Sequence, residues 1–194
     1  MTTVAVLHHA LGRTTGVTAF AGTLAADGHT VVVPDLFDGR TFTEVADGVA
    51  YADALGPEAV AAGFDAAVPA GTDPLVVVGF SLGVLGAQRI AQTRPGVAGA
   101  VLCHSCIPAA WFGAWPATVP VRVHACAADP FFTGDGDDAA ARELVAAVPG
   151  AMLHLYPGAG HLFAEPGTPD HVPAAAALLE RRVRAFVAAV SGRS

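Results

Sequence analysis

Six short runs rich in β-branched residues recur along this chain, and alanine-rich segments with helical spacing separate them. That alternation leaves few folds open. The runs are Val4–Leu7, Thr30–Val33, Leu75–Val78, Gly99–Cys103, Val119–Ala125 and Met152–Tyr156. Most are apolar on both faces, the pattern of a parallel sheet covered by helices on each side. Between and after them the spacing predicts helices near Thr15–Ala26, Phe42–Leu55, Pro57–Ala67, Leu82–Thr93, Asp137–Val148 and Pro173–Val190. The last is the clearest, with Leu179, Val183, Phe186, Val187 and Val190 on one face and Glu180, Arg181, Arg182 and Arg184 largely on the other. The expected fold is a doubly wound α/β sandwich, in which ligands sit at the carboxyl ends of the strands. Functional residues belong just after each run.

Length and composition narrow the field further. The 194 residues suit one domain over 1–194 with a sizeable core, and 53% hydrophobic against 14% charged residues argues against disorder. A net charge of −7, with no block of lysine or arginine, argues against nucleic-acid or anionic-membrane partners. No apolar run approaches the length of a bilayer span, and "MTTVAVLHHALG" lacks both the basic start and the apolar centre of a leader. Three cysteines without a leader favour a reducing cytoplasm. Cys103 and Cys106 form "CHSC", but a zinc site would need a second ligand pair at matching spacing and none is evident. His8 and His9 likewise have no apparent carboxylate partner, so no metal and no cofactor is expected.

The third run ends in Gly79-Phe80-Ser81-Leu82-Gly83, the G-x-S-x-G pattern of a serine held on a sharp strand-to-helix turn. Glycines two residues either side let the turn close and expose the hydroxyl, and the helix that follows offers N–H groups to a developing oxyanion. With 22 glycines in the chain, random order gives roughly 0.05 such motifs. A serine hydroxyl needs a base, and the base needs an orienter. In this fold the order is serine, then an acid after a later strand, then histidine after the last. Asp129 follows "VPVRVHACAAD" and His161 follows "MLHLYPGAGH", where glycines shape a presenting loop. Ser81 is therefore expected as nucleophile, His161 as general base and acid, and Asp129 as orienter. Asp135, Asp137 and Asp138 in "TGDGDD" read as a solvated loop and helix start, and His124, His154 and His171 as structural. The oxyanion donors expected are the backbone N–H of Leu82 and, from "LHHALGRTTG", that of Ala10. His8 and His9, at the end of the first strand, are placed to line the pocket.

With these residues placed, the chain resembles the dienelactone hydrolase family of α/β-hydrolases. "LHHALGRTTGVTAFAGTLAADGHTVVVPDLFDGR" is similar to that family's N-terminal stretch, and "GFSLG", "AADPFF" and "YPGAGHLF" resemble its nucleophile, acid and histidine segments. The likeness runs from about Val4 to Phe186. It implies a mainly parallel sheet of about six or seven strands and hydrolysis of small esters or lactones through an acyl-enzyme. Four departures stand out. Ser81 occupies a position where the family often carries cysteine, and Val84 follows Gly83 where a second glycine is common. His9 falls near the place of a glutamate that modulates the nucleophile in dienelactone-cleaving members. Glu165 follows the histidine where those members place an arginine for the substrate carboxylate. These departures argue against dienelactone itself as substrate.

Hydrolases of this fold often carry a lid where this chain has only "HSCIPAAWFGAWPATVP", so the lid is minimal. Trp111 and Phe112 in that interval are candidates for a pocket wall, while Arg13 and Arg40 could meet an anionic group. Two other readings share the fold: a non-catalytic binding protein, and a thioesterase or peptidase using the same residues. Either way the expected partner is a small molecule.

Overall fold

The computed structural model describes residues 2–71 and 74–192. Its six strands are β1 (Thr3–Leu7), β2 (Thr30–Val32), β3 (Leu75–Phe80), β4 (Val97–Cys103), β5 (Val121–Cys126) and β6 (Met152–Tyr156). All five pairings are parallel, in the order β2-β1-β3-β4-β5-β6. Parallel pairing demands a crossover between consecutive strands, which explains the helix-period segments between the apolar runs.

The helices are α1 (Thr15–Ala26), α2 (Val45–Leu55), α3 (Pro57–Ala67), α4 (Gly83–Thr93), α5 (Pro130–Gly134), α6 (Asp137–Ala147) and α7 (Pro173–Ser191). They divide over two cores. On one face Val4, Val6, Val76 and Val78 pack against Val17, Ala21 and Leu24 of α1 and against Leu179, Val183 and Val187 of α7. On the other, Ala5, Leu7, Val77 and Leu102 meet α2, α3, α4 and α6 through Ala52, Phe64, Ile90 and Leu144. Every residue of β3 is buried, as a central strand covered on both faces requires. Among the described residues no helix is long and apolar enough to cross a membrane.

Several boundaries differ from the sequence reading, and one helix is additional to it. Helix α2 begins at Val45 rather than at Phe42, whose N–H instead donates to Leu11 O at 3.0 Å in the loop after β1. The fifth strand begins at Val121, just past Pro120, which has no N–H to give the ladder. The short α5 was not expected; Asp129 caps it by accepting from Phe131 N at 3.0 Å, and Pro130 fills its first position.

Between β1 and β3 the chain order reverses, since β2 lies outside β1 while β4, β5 and β6 extend beyond β3. The carboxyl ends of these two neighbours, Leu7 and Phe80, open on the crevice where a doubly wound sheet binds its ligands.

Candidate active site

Ser81 stands at the end of β3 with φ 47°, a left-handed conformation that a residue with a side chain adopts only under constraint. Its N–H donates to Cys103 O at 2.7 Å, and its carbonyl accepts from Val84 N at 2.8 Å. The chain therefore turns within one residue from sheet into α4. The flanking glycines are sterically required: a Cβ at Gly79 would lie 2.6 Å from Gly83 O, and one at Gly83 would lie 2.3 Å from Leu7 O.

Two loops from distant sequence meet this serine. Ser81 Oγ and His161 Nε2 are 2.8 Å apart, and His161 Nδ1 lies 2.7 Å from Asp129 Oδ2. Asp129 is fully buried, and His161 is only 8% exposed. With the carboxylate accepting, the Nδ1 proton donates to Asp129 and Nε2 is left as an acceptor for the hydroxyl. The second Asp129 oxygen is occupied by Phe131 N. One carboxylate thus both starts α5 and fixes the imidazole. The Phe131 ring, 4.7 Å from that of His161, covers the imidazole on one side.

The serine opens into a cavity of about 310 Å³, walled in part by Val45, Val49 and Ala52 of α2, by Leu85 and by Ile107. Leu82 and Ala10 both line it beside Ser81. Among the described residues, no backbone carbonyl takes the N–H of either one. Trp111, 57% exposed in the 3-10 turn Ala109–Trp111, and Phe131, 47% exposed, stand at its walls.

Five expected pocket residues lie elsewhere. His9 is buried behind the cavity, with Nε2 3.0 Å from Glu165 Oε2. Arg13 pairs with Asp35 at 3.2 Å, and the Arg40 guanidinium lies over the Tyr51 ring. Phe112 is half-buried and does not line the cavity, because the 3-10 turn presents Trp111 to it. His8 is also turned away: its Nδ1–H donates to His9 O at 2.8 Å while Nε2 accepts from Leu36 N at 3.1 Å, and burial pushes its pKa down to about 4.

The cavity also holds acidic groups that were expected in solvent. Asp135 and Asp137 line it together with Asp53 of α2, and among the described residues no lysine or arginine does. Burial raises the Asp137 pKa, against hydrogen bonds from Ser105 and the N–H of Cys106. The Asp-Pro pair at 129–130 was the available signal. It starts α5, and α5 carries the following acidic stretch back over the site.

A family model described as the dienelactone hydrolase family matches residues 1–191. The chain belongs to that family. Among solved structures, it resembles a dienelactone hydrolase-like promiscuous phosphotriesterase from metagenomic libraries at TM-score 0.75 and 19% identity, covering 98% of this chain and 87% of that one. It also resembles a cold-adapted esterase from an Arctic intertidal metagenomic library, with TM-score 0.59, 16% identity and coverage of 94% and 81%. A third is esterase PE8, with TM-score 0.55, 18% identity and coverage of 97% and 92%. At these identities the likeness concerns the fold. No protein among curated sequences matches the chain. Family membership makes this dienelactone hydrolase relative a hydrolase acting on ester bonds.

Proposed function

We propose that the chain is a serine hydrolase that cleaves small, uncharged carboxylic esters or lactones through an acyl-enzyme. The observation that carries this reading is the hydrogen-bonded series from Ser81 Oγ through His161 to Asp129, at 2.8 and 2.7 Å. In the first half-reaction Ser81 Oγ attacks the carbonyl carbon as its proton passes to His161 Nε2. The carbonyl electrons move onto oxygen, and the N–H groups of Leu82 and Ala10 receive the oxyanion. Collapse expels the alkoxide, which leaves as an alcohol with the proton from His161. Water then attacks the acyl-enzyme with His161 again as base, which releases the acid and restores the Ser81 hydroxyl. Asp129 keeps the Nδ1 proton in place and balances the imidazolium that forms twice per turnover.

The cavity supports the substrate class. A space of about 310 Å³ suits a small ester, and its walls are mainly aliphatic and aromatic. Asp53, Asp135 and Asp137 supply negative charge with no lysine or arginine among the described lining residues, so a substrate carboxylate would meet repulsion. Soon after His161 the chain carries Glu165 and no arginine that could meet such a carboxylate.

A fluorophosphonate probe tests this directly. It should label Ser81 in the native chain and fail to label Ser81→Ala, with ester turnover lost in step. A native protein that resists the probe while turning over no ester would be a binding protein on this fold, and the reading would fall.

A further inference from the structure

The His9–Glu165 pair is absent from the mechanism above, yet it ties together the two loops on which that mechanism depends. The loop after β1 is wound around His9. Its carbonyl accepts from Gly12 N at 3.0 Å and from His8 Nδ1 at 2.8 Å, while its own Nδ1 accepts from Leu11 N at 3.3 Å. Because Nδ1 is an acceptor, the ring proton sits on Nε2 and donates to Glu165 Oε2, 3.0 Å away. Glu165 belongs to the loop of His161, where its N–H donates to Leu162 O at 2.8 Å. Both side chains are almost fully buried, at 1% and 7% exposure. A carboxylate withdrawn this far from water needs its partner, so the contact resists opening.

The surroundings accommodate this contact. Gly16, in the first turn of α1, leaves space for the carboxylate; a Cβ there would lie 2.4 Å from Glu165 Oε1. On the opposite side of the loop, Gly48 of α2 lets that helix close onto the carbonyl of Ala10. Ala10 is thereby clamped between α2 and a turn anchored by His9. His9 does not line the reaction cavity, so it acts on the site only through the loop that it holds.

Resting on the esterase reading, we propose that His9 and Glu165 are positioning residues that hold the Ala10 N–H in register with Ser81 and His161. An oxyanion donor works only when it is fixed within a few tenths of an ångström before the charge develops. A hydrogen bond between the donor's loop and the base's loop fixes both against a common partner. Releasing it leaves ground-state binding intact and weakens the tetrahedral state.

The decisive variant is His9→Asn, whose amide oxygen can still accept from Leu11 N but whose side chain is too short to reach Glu165. Its kcat should fall roughly 10- to 100-fold, less than the ~10²–10³ lost when a donor is removed outright, with KM within about twofold. Affinity for a trifluoromethyl ketone, which forms a tetrahedral adduct on the serine, should fall in parallel. Glu165→Gln keeps an oxygen acceptor for the Nε2 proton and should retain kcat and ketone affinity within about threefold. Wild-type kcat and ketone affinity in a folded His9→Asn would overturn the proposal, as would equal weakening of substrate and ketone binding. If His9→Asn does not fold, Glu165→Ala with its melting transition retained decides by the same two readouts. Fluorophosphonate labelling of the native chain separates the layers. A labelled Ser81 with an indifferent variant removes only the positioning role, whereas an unlabelled native Ser81 removes the esterase reading beneath it and this role too.

Discussion

His161 meets Asp129 at 2.7 Å, and His9 meets Glu165 at 3.0 Å; both pairs are buried at the carboxyl edge of the sheet. They differ at the nitrogen that faces away from the carboxylate. That of His161 meets a serine hydroxyl on a strained turn that opens into the cavity, whereas that of His9 meets a backbone N–H. A carboxylate makes either imidazole a better acceptor and fixes its tautomer. What the acceptor then does depends on its donor, since a hydroxyl can surrender its proton and an amide at this site cannot. On the reading proposed above, the same two residue types serve as chemistry in one loop and as a fastening in the other.

The sharpest way to break this contrast is to remove the hydroxyl. Ser81→Ala should abolish ester turnover, with a loss on the order of a million-fold, while the far-UV circular dichroism stays unchanged. Retention of more than about a hundredth of kcat would deny Ser81 its role.

Next in size is the comparison of the two carboxylates. Asp129→Asn should lower kcat on the order of 10⁴-fold, because an amide at that site lets the ring adopt the tautomer that cannot accept the serine proton. Glu165→Gln should cost only a few-fold. Steady-state kinetics on both, with melting temperatures as a control, measures the gap. Equal losses would mean that the pairs are not distinct.

His8 supplies a third case, a buried histidine whose ring nitrogens both serve the backbone. Its folded pKa of about 4 lies below the ordinary 6.5, mainly through burial, with the carbonyl of His9 opposing. Above pH 6.5 the ring is neutral in both states and the full stability is present. Between that value and about 4 only the unfolded chain gains the proton, so stability falls with pH. The expected loss is on the order of 3 kcal/mol, from 1.36 kcal/mol per pKa unit. Buried His104 and His124, whose pKa values are also lowered by burial, add to it with the same sign. Urea unfolding from about pH 7 to about pH 4 should show this decline, and an unchanged midpoint would contradict it.

The smallest expected effect concerns the substrate. Across p-nitrophenyl esters from acetate to decanoate, kcat/KM should be highest for short acyl chains, by roughly tenfold over the longest, and should exceed that for a carboxylated lactone. Each added methylene gains ~0.8 kcal/mol only where it can be buried. A maximum at about eight carbons or more, or a preference for the anionic lactone, would mean that the exposed Trp111 and Phe131 build a longer or differently charged site.

Much of this architecture could be read before any coordinates, because β-branched runs buried on both faces and alanine-rich crossovers are local signals. The meeting of Ser81, Asp129 and His161 followed from strand order, as chain order in a doubly wound sheet sets which loops become neighbours. Pairings across the whole chain were out of reach. His9 and Glu165 are 156 positions apart, and nothing local marks either as the other's partner. Arg13 and Arg40 drew attention for their charge, but Asp35 and the Tyr51 ring engage them. Asp137 looked like a solvated helix start because the five-residue α5, which turns the chain back over the cavity, is too short to leave a periodic pattern.

The all-parallel sheet also governs how the protein reaches its working state. No two of its strands can zip together as a hairpin, and α1, β2, α2 and α3 all lie in sequence between Thr3 and its partner Leu75. Loop-closure entropy is spent before these ladders return anything, so refolding is expected to be slow, with the apolar "LVVVGF" of β3 exposed to other chains meanwhile. Ser81, Asp129 and His161 come together only when β3, β5 and β6 are docked in one sheet, so helical circular dichroism should return well before esterase activity does. Dilution during refolding will then govern the yield of active enzyme more than any later adjustment of conditions.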